Sequence, residues 1–334
     1  MTVLVTGAAG FIGFSVAQQL LREGRSVVGV DSINSYYPPA LKQARLTELN
    51  KQTGFTFWHG DITELPQQLE TGTVGDSNIS WQEIDTIVHL AAQPGVRYSL
   101  ENPYAYVDAN VTGQVAILEL ARSLPQQPHV VYASSSSVYG RNTKMPWSEE
   151  DRTDHPASVY AATKQAAERL ADTYGHLYGL KLTGLRFFTV YGPWGRPDMA
   201  PYLFTKALFD GSTIRLFNHG KQQRDFTFID DIVAGVIAAI DRSINGMDGM
   251  THQHRVYNLG NNQAEELEHF VAVLEEVTGR KAILDRQPAQ PGDVVATYAD
   301  ITRSQAELGF SPKTGIAEGL GEFVAWYRQY HGIT

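Results

Sequence analysis

Tyr160 and Lys164 stand four residues apart in "YAATK", inside a stretch with helical periodicity, and so lie one turn apart on one face. A free tyrosine has a pKa near 10, so only about one molecule in a thousand is phenolate at neutral pH. An ammonium held beside the phenol favours the anion, and a fall of ~3 pH units corresponds to about 4 kcal/mol. Such a pair can take a proton from an alcohol. In an arbitrary protein the same spacing is most often plain helix surface. Upstream, Ser134, Ser135, Ser136 and Ser137 follow one another in "SSSSVYG", at the tip of the apolar run "HVVYA". Each hydroxyl taken out of water needs a partner, which makes the run poor core material. It offers instead a wall of short, neutral donors and acceptors.

A third constellation lies at the N-terminus. "VLVTGAAGFIG" places Gly7, Gly10 and Gly13 directly after an apolar run and at the start of a helical pattern, with Phe11 and Ile12 between the last two. Glycines at this spacing let backbone N–H groups approach a pyrophosphate at the positive end of a helix. Alone they also fit a structural tight turn. The next apolar run, "SVVGVD", ends in Asp31, where a carboxylate can accept hydrogen bonds from ribose hydroxyls and repels a 2′-phosphate. Glycine loop, helix and acid together point to NAD rather than NADP. Asn34 follows on the same loop. Asp61 and Ile62 follow a third apolar run, and Leu90, Ala91 and Ala92 a fourth. These strand ends should line the cofactor crevice, although a plain loop or core role suits each residue alone.

The elements that position these groups show in the patterning. "TVLVTG", "SVVGVD", "FTFWHGD", "TIVHLAA", "HVVYASS" and "KLTGLRFF" predict strands, and residues 11–23, 102–122 and 157–178 predict helices between them. This alternation predicts an α/β fold, a Rossmann-type doubly wound parallel sheet covered on both faces. Residues 66–83 are polar and Gly/Ser-rich and predict a surface loop; 245–254 is a second flexible candidate. After about residue 190 the rhythm gives way to shorter elements before a C-terminal helix over 315–331. The expected division is an NAD-binding domain over 1–190, with a return segment near 225–260. A smaller mixed α/β domain over most of 191–334 would bind substrate. The 334 residues carry a net charge of −9 and no Lys/Arg-rich run, so nucleic acid and anionic membranes are not expected partners. There is no cysteine and no signal-peptide pattern, and a cytoplasmic location is expected. His252 and His254 have no evident third ligand, so no metal is expected.

Taken together, the glycine loop, the serine run and Tyr-x-x-x-Lys resemble the extended short-chain dehydrogenase/reductase family, the NAD-dependent epimerases and dehydratases of nucleotide sugars. The resemblance implies that Tyr160 and Lys164 are catalytic beside NAD, with Ser135, 25 residues before Tyr160, and Ser136 as hydrogen-bonding partners of the sugar oxygen. It also implies a place at the cofactor for Phe187 and for Asn110, which matches the family Asn that braces the catalytic Lys through water and reads otherwise as a helix cap. Dehydratases of the family resemble "STDEVYG" at the serine run and decarboxylases resemble "TSEVYG"; here the acid positions are Ser136 and Ser137. UDP-glucose 4-epimerases carry Asn where this chain has Thr189, and Arg ahead of a Gly-Asp pair where it has Gln290.

With "LAAQPGVRYS", "LRFFTVYGPWGRPDM", "FNHGKQQRDFTFIDD" and "QPGDVVATYAD", the chain resembles the branch of the family that epimerises UDP-glucuronate at C4. That implies interconversion of UDP-glucuronate and UDP-galacturonate through a 4-keto sugar, without decarboxylation. UDP-glucose 4-epimerase and then UDP-glucuronate decarboxylase are the alternatives. A seat for the sugar carboxylate is expected from Ser135, Ser136, Ser137 and Thr189 with Arg196 as charged anchor, Tyr160 facing the sugar. Arg97 and Arg224 are expected at the diphosphate and Asp293 at the uridine ribose; an ion pair or turn role is the other reading of each. The family's dimer surface falls on 102–122 and 157–178, so a homodimer is expected.

Overall fold

Valine-rich segments build the centre of the larger sheet. Val3, Leu4 and Val5 of β1 (Thr2–Thr6) and Val27, Val28 and Val30 of β2 (Ser26–Asp31) are fully buried, as strands covered on both faces require. β3 (Phe55–His59), β4 (Ile84–His89), β5 (His129–Ser135), β6 (Leu182–Phe187) and β10 (His254–Leu259) complete seven strands in the order β10-β6-β5-β4-β1-β2-β3. Pairing is parallel from β3 through β2, β1 and β4 to β5. The order reverses between β1 and β4, and in an open α/β sheet ligands bind beyond the strand ends at that reversal.

The computed structural model describes residues 1–75, 78–246, 253–288 and 296–334, without the side chains of 243–246. The described residues form two compact units. The first comprises Met1–Asn142, Asp151–Arg186 and Val233–Tyr257; the second comprises Thr143–Glu150, Phe187–Ile232 and Asn258–Thr334. In the second, β9 (Gln223–Phe228) pairs parallel with β7 (Thr189–Tyr191) and antiparallel with β11 (Ala264–Glu266), and β8 (Thr213–Leu216) pairs parallel with β12 (Ile283–Arg286). Aromatic side chains pack its C-terminal helix, Ile316–His331, around Tyr202, Phe323, Trp326 and Tyr327.

Two predicted elements differ in detail. The 66–83 stretch is more than a surface loop: 3-10 turns span Ile62–Thr71 and Trp81–Glu83, Thr73 bridges Ser80, and Val74 and Trp81 are buried in the first unit's core. Val74 and Trp81, with the partly buried Leu69 and Ile79 packed against the same core, anchor an otherwise polar sequence. The helix over 102–122 is Pro103–Val107 and Gly113–Ser123 joined by a wider π turn, Asp108–Thr112. Of the 245–254 stretch, 247–252 lie outside the described residues, while His254 opens β10.

Candidate active site

At the end of β1, Gly7 has φ +72°, and a Cβ there would fall 2.7 Å from the Ala91 nitrogen beyond β4. A Cβ on Gly13 would overlap the Gly7 carbonyl oxygen, to which Gly10 N–H donates at 2.8 Å. Only glycine permits this closeness. Helix Phe11–Arg22 starts at Gly10 with no side-chain cap, so no hydroxyl or carboxylate of the chain occupies its N-terminus, the end of a helix that favours anions. The cradle fits the pyrophosphate of a dinucleotide. Phe11 is buried and Ile12 half-buried beside it. Leu90 N–H donates to Thr6 O and Ala91 N–H to Thr6 Oγ1, which fixes 90–91 against β1, with Ala92 next in the chain.

Asp31 closes β2. Its carboxylate accepts from Ala9 N–H at 3.1 Å and from Ile33 N–H at 2.8 Å. Two residues that sequence reasoning missed join it. Lys42 Nζ lies 3.6 Å from Asp31 and donates to Asn34 Oδ1 at 2.9 Å. Arg45 donates to the Ala9 carbonyl and to Tyr37, both at 2.8 Å. Burial pulls the Lys42 ammonium below its ordinary range while Asp31 opposes the shift. A signal was present, because Lys42 and Arg45 fall on the same buried stripe of helix Ala40–Asn50 as Leu46 and Leu49. Asp61 accepts from Thr63 N–H and Oγ1 as a helix cap, and Ile62 packs in the core.

The Tyr/Lys helix, Val159–Tyr178, is capped by Ser158, whose Oγ accepts from Ala161 N–H. Tyr160 is half-buried, its ring edge-on to buried Tyr106 at 6.0 Å. Lys164 is buried and donates to the Ala133 carbonyl on β5 at 3.0 Å. Burial lowers its pKa to about 8, with Glu168 opposing, while burial and Lys164 lower His89 to about 3, leaving a neutral imidazole. Asn110, in the π turn, accepts from Gln93 N–H at 2.8 Å and donates to Gln93 O and Thr163 Oγ1, both at 3.1 Å. Thr163 in turn donates to the Tyr160 carbonyl, so Asn110 braces both this helix and the 90–97 loop.

The four serines divide. Ser134 is buried and donates to Glu168 Oε1 at 2.5 Å. Ser135 Oγ accepts from Ser137 N–H at 3.2 Å, starting a turn over Ser136–Tyr139, which leaves the Ser135 proton available for a ligand oxygen. Ser136 and Ser137 are half-buried. The turn ends at Gly140, φ +57°, where a Cβ would overlap the His155 carbonyl oxygen. Tyr160, Lys164 and the serine run thus meet within the first unit. Arg97, in the same unit, is exposed at the start of helix Tyr98–Glu101.

Phe187 and Thr189 belong to the second unit; Phe187 is buried and Thr189 half-buried, its strand paired with β9 at Phe226. Arg196 holds Asp198 in a two-point ion pair, 3.0 Å from Nε and 2.5 Å from Nη2. Trp194 of the same loop packs on Trp326 and Tyr330. Arg224 donates to Gln223 O and Gln222 Oε1. Asp293 lies outside the described residues.

A doubly wound sheet with a glycine cradle at its point of reversal, and a Tyr/Lys helix beside the next strand, defines a nucleotide-binding fold equipped for proton and hydride chemistry at an alcohol. Residues 3–260 match the model of the NAD dependent epimerase/dehydratase family, and the chain belongs to that family. It is similar, at 48% identity over 342 residues, to UDP-glucuronate 4-epimerase 4 of Arabidopsis thaliana, with 99% of this chain and 76% of that one covered. Among solved structures it is similar to UDP-glucuronic acid 4-epimerase from Bacillus cereus in complex with UDP-glucuronic acid and NAD. There the TM-score is 0.87 at 32% identity, covering 99% of this chain and 100% of that chain. A UDP-glucose 4-epimerase from Thermotoga maritima gives a TM-score of 0.84 at 27% identity, covering 99% and 100%.

Proposed function

We propose that this chain is an NAD-dependent isomerase that interconverts UDP-glucuronate and UDP-galacturonate by inverting C4. The observation that carries the choice of reaction is the end of β5. Ser135, Ser136 and Ser137 present hydroxyls there, and the carboxylate bonded to the run, Glu168, is committed to Ser134 and Arg186. An elimination across C5 and C6 needs an acid and a base at this place, and this one is buried, ionised and ion-paired. The same neutral surface tolerates a negatively charged sugar.

In this reading Gly7, Gly10, Phe11, Ile12 and Gly13 seat the pyrophosphate, Asp31 and Asn34 hold the adenosine ribose, and Lys42 orients both. Asp61, Ile62, Leu90, Ala91, Ala92 and Asn110 line the rest of the cofactor crevice in the first unit, and the family resemblance assigns Phe187 of the second unit to the cofactor as well. Bound there, NAD supplies the hydride acceptor for C4 and the donor that restores it. Tyr160, its phenolate favoured by Lys164, removes the proton from the C4 hydroxyl, and Ser135 with Ser136 shares the hydrogen bond to that oxygen. The 4-keto sugar would then turn over in its pocket, so that the hydride restored to C4 enters from the opposite face and inverts that carbon, while Tyr160 returns the proton to the C4 oxygen.

The keto sugar is a β-keto acid and loses CO2 when its C5–carboxylate bond aligns with the carbonyl π system. Ser135–Ser137 hold the carboxylate out of that alignment, with Arg97 at the diphosphate; the family resemblance assigns Thr189 and Arg196 of the second unit to the sugar and Arg224 to the diphosphate. Cofactor binding is assigned to 1–190 with the return near 225–260, a range whose compact part is Met1–Asn142, Asp151–Arg186 and Val233–Tyr257, and sugar binding to the remainder. A cytoplasmic homodimer is part of the proposal. Tyr104, Val107 and Leu177 stand exposed at 78%, 46% and 60% where the family's dimer surface is expected.

Parallel incubation with UDP-glucuronate and UDP-glucose, followed by chromatography of the nucleotide sugars, tests the proposal. UDP-galacturonate from the first and little UDP-galactose from the second is the expected result. The reverse preference would make the chain a UDP-glucose 4-epimerase, and a predominant UDP-pentose would make it a decarboxylase.

A further inference from the structure

Glu168 stands one helical turn beyond Lys164, buried, and its carboxylate accepts from three donor atoms on two side chains. Arg186 Nε and Nη2 donate to Oε1 and Oε2, each at 2.9 Å, and Ser134 Oγ donates to Oε1 at 2.5 Å. The side chains of Glu168 and Arg186 are 7% and 6% exposed. Arg186, the last residue of the first unit, also lies over the Tyr139 ring, 4.8 Å from its centroid. A buried ion pair contributes little net stability compared with apolar side chains of the same size, so its presence beside the candidate chemistry calls for another account.

The bonds from helix Val159–Tyr178 to the end of β5 supply one. Lys164 grips the Ala133 carbonyl, Glu168 grips Ser134, and Gln165 Nε2 donates to the Val138 carbonyl at 3.0 Å. Arg186 then covers Tyr139. Ala133, Ser134, Val138 and Tyr139 are held from outside, and the three residues between them are Ser135, Ser136 and Ser137. The serines that would meet substrate are thus fixed by neighbours that would not.

We propose that Glu168 and Arg186 form a positioning pair that sets the serine segment against the Tyr160–Lys164 helix and thereby keeps the sugar carboxylate from leaving. The kinetic half of this proposal rests on the 4-epimerase reading. If the segment loosens, the carboxylate can swing into line with the C4 carbonyl. The C5–carboxylate bond then breaks, its electron pair forms the enolate of the C4 ketone, CO2 departs, and a solvent proton adds at C5. No external oxidant or reductant enters that step, and the returning hydride yields a UDP-pentose.

The test uses the NAD-bound enzyme with Glu168→Gln, Ser134→Ala and the double variant, read in two ways. Amide hydrogen exchange at 135–138 should quicken about tenfold in Glu168→Gln while amides of β1 and β4 keep the wild-type rate. Turnover per bound NAD should fall on the order of 10-fold or more, with the pentose share of product raised several-fold, since small displacements at a reacting centre are costly. Ser134→Ala should move both readouts the same way by less, and the double variant should be no worse than Glu168→Gln alone. Should Glu168→Gln fail to hold NAD, Ser134→Ala, which keeps the ion pair, carries the test. Unchanged local exchange and product ratio would overturn the proposal, as would exchange quickened equally throughout the sheet, which marks a purely structural role. If the wild type does not act on UDP-glucuronate, the 4-epimerase reading fails, and the exchange readout alone still decides whether the pair positions the segment.

Discussion

Two buried carboxylates, one in each unit, are handled in opposite ways. Glu168 in the first unit meets a guanidinium. Asp225 on β9 in the second is fully buried and accepts from Asn261, Asn262 and Ala299 N–H and from Thr227 Oγ1. Burial opposes ionisation at both. At Glu168 the hydrogen bonds and charge of Arg186 outweigh it and hold the carboxyl below its usual range; at Asp225 four neutral donors do not, and the pKa rises to about 6. The first arrangement keeps one charge state throughout the working pH range. The second gathers three separate chain segments, β9, 261–262 and 299, around a group that titrates. Rigidity beside the chemistry is thus secured by a counter-charge, and assembly of the second unit by hydrogen bonds to a lone acid.

The strongest way to break this contrast is to remove chemistry from the first unit without disturbing either hub. Tyr160→Phe should lower turnover about 100- to 10,000-fold, the range of general acid–base catalysis, with NAD content and the stability profile of the second unit unchanged. Undiminished turnover would take Tyr160 out of the base role. Gly13→Ala should also leave Asp225 untouched. The overlap of its Cβ with the Gly7 carbonyl must be relieved by moving the cradle, at about 1–3 kcal/mol, so NAD retention on gel filtration should weaken on the order of 10- to 100-fold. Full retention would show that the loop has room to spare.

Asp225→Asn sharpens the comparison. A carboxyl whose pKa is raised on folding takes up its proton more readily in the folded chain. Its stabilising contribution is therefore complete below about pH 4 and lost as pH rises through about 6. The difference between wild-type and Asp225→Asn unfolding free energies should decline by about 3 kcal/mol from pH 4 to 7, read from denaturant midpoints. A flat difference would mean that the four donors already satisfy the charge. The last expected effect is selective. Arg196→Ala should lower kcat/KM for UDP-glucuronate about 10- to 100-fold, the worth of a charged hydrogen bond, and any activity on UDP-glucose far less. Equal losses would make Arg196 a general positioning group.

The two units also differ in how much of them the sequence discloses. In the first, valine runs and strand–helix spacing predict six of the seven strands, and local signals mark Gly7, Gly10, Gly13, Asp31, Tyr160 and Lys164, because each acts through its own turn or helix. What escapes notice is non-local. Ser134 differs from Ser135 only by the alternation of β5, and Glu168 is an ordinary helical acid until Arg186, 18 residues on, folds against it. The π turn at Asn110 depends on two bonds to Gln93 that no periodicity records. The second unit is harder to foresee, because its strands are three to six residues long and its central acid binds segments more than 70 residues apart in sequence. Arg196 and Arg224 enter through resemblance, as their spacing carries no signal of its own.

The central claim is that the hydrogen removed from C4 is the one returned to it. Supplied with UDP-glucuronate carrying deuterium at C4 in ordinary water, the enzyme should yield UDP-galacturonate with the label still at C4, as read by mass spectrometry and NMR. Product that has exchanged its label for solvent hydrogen would contradict the account.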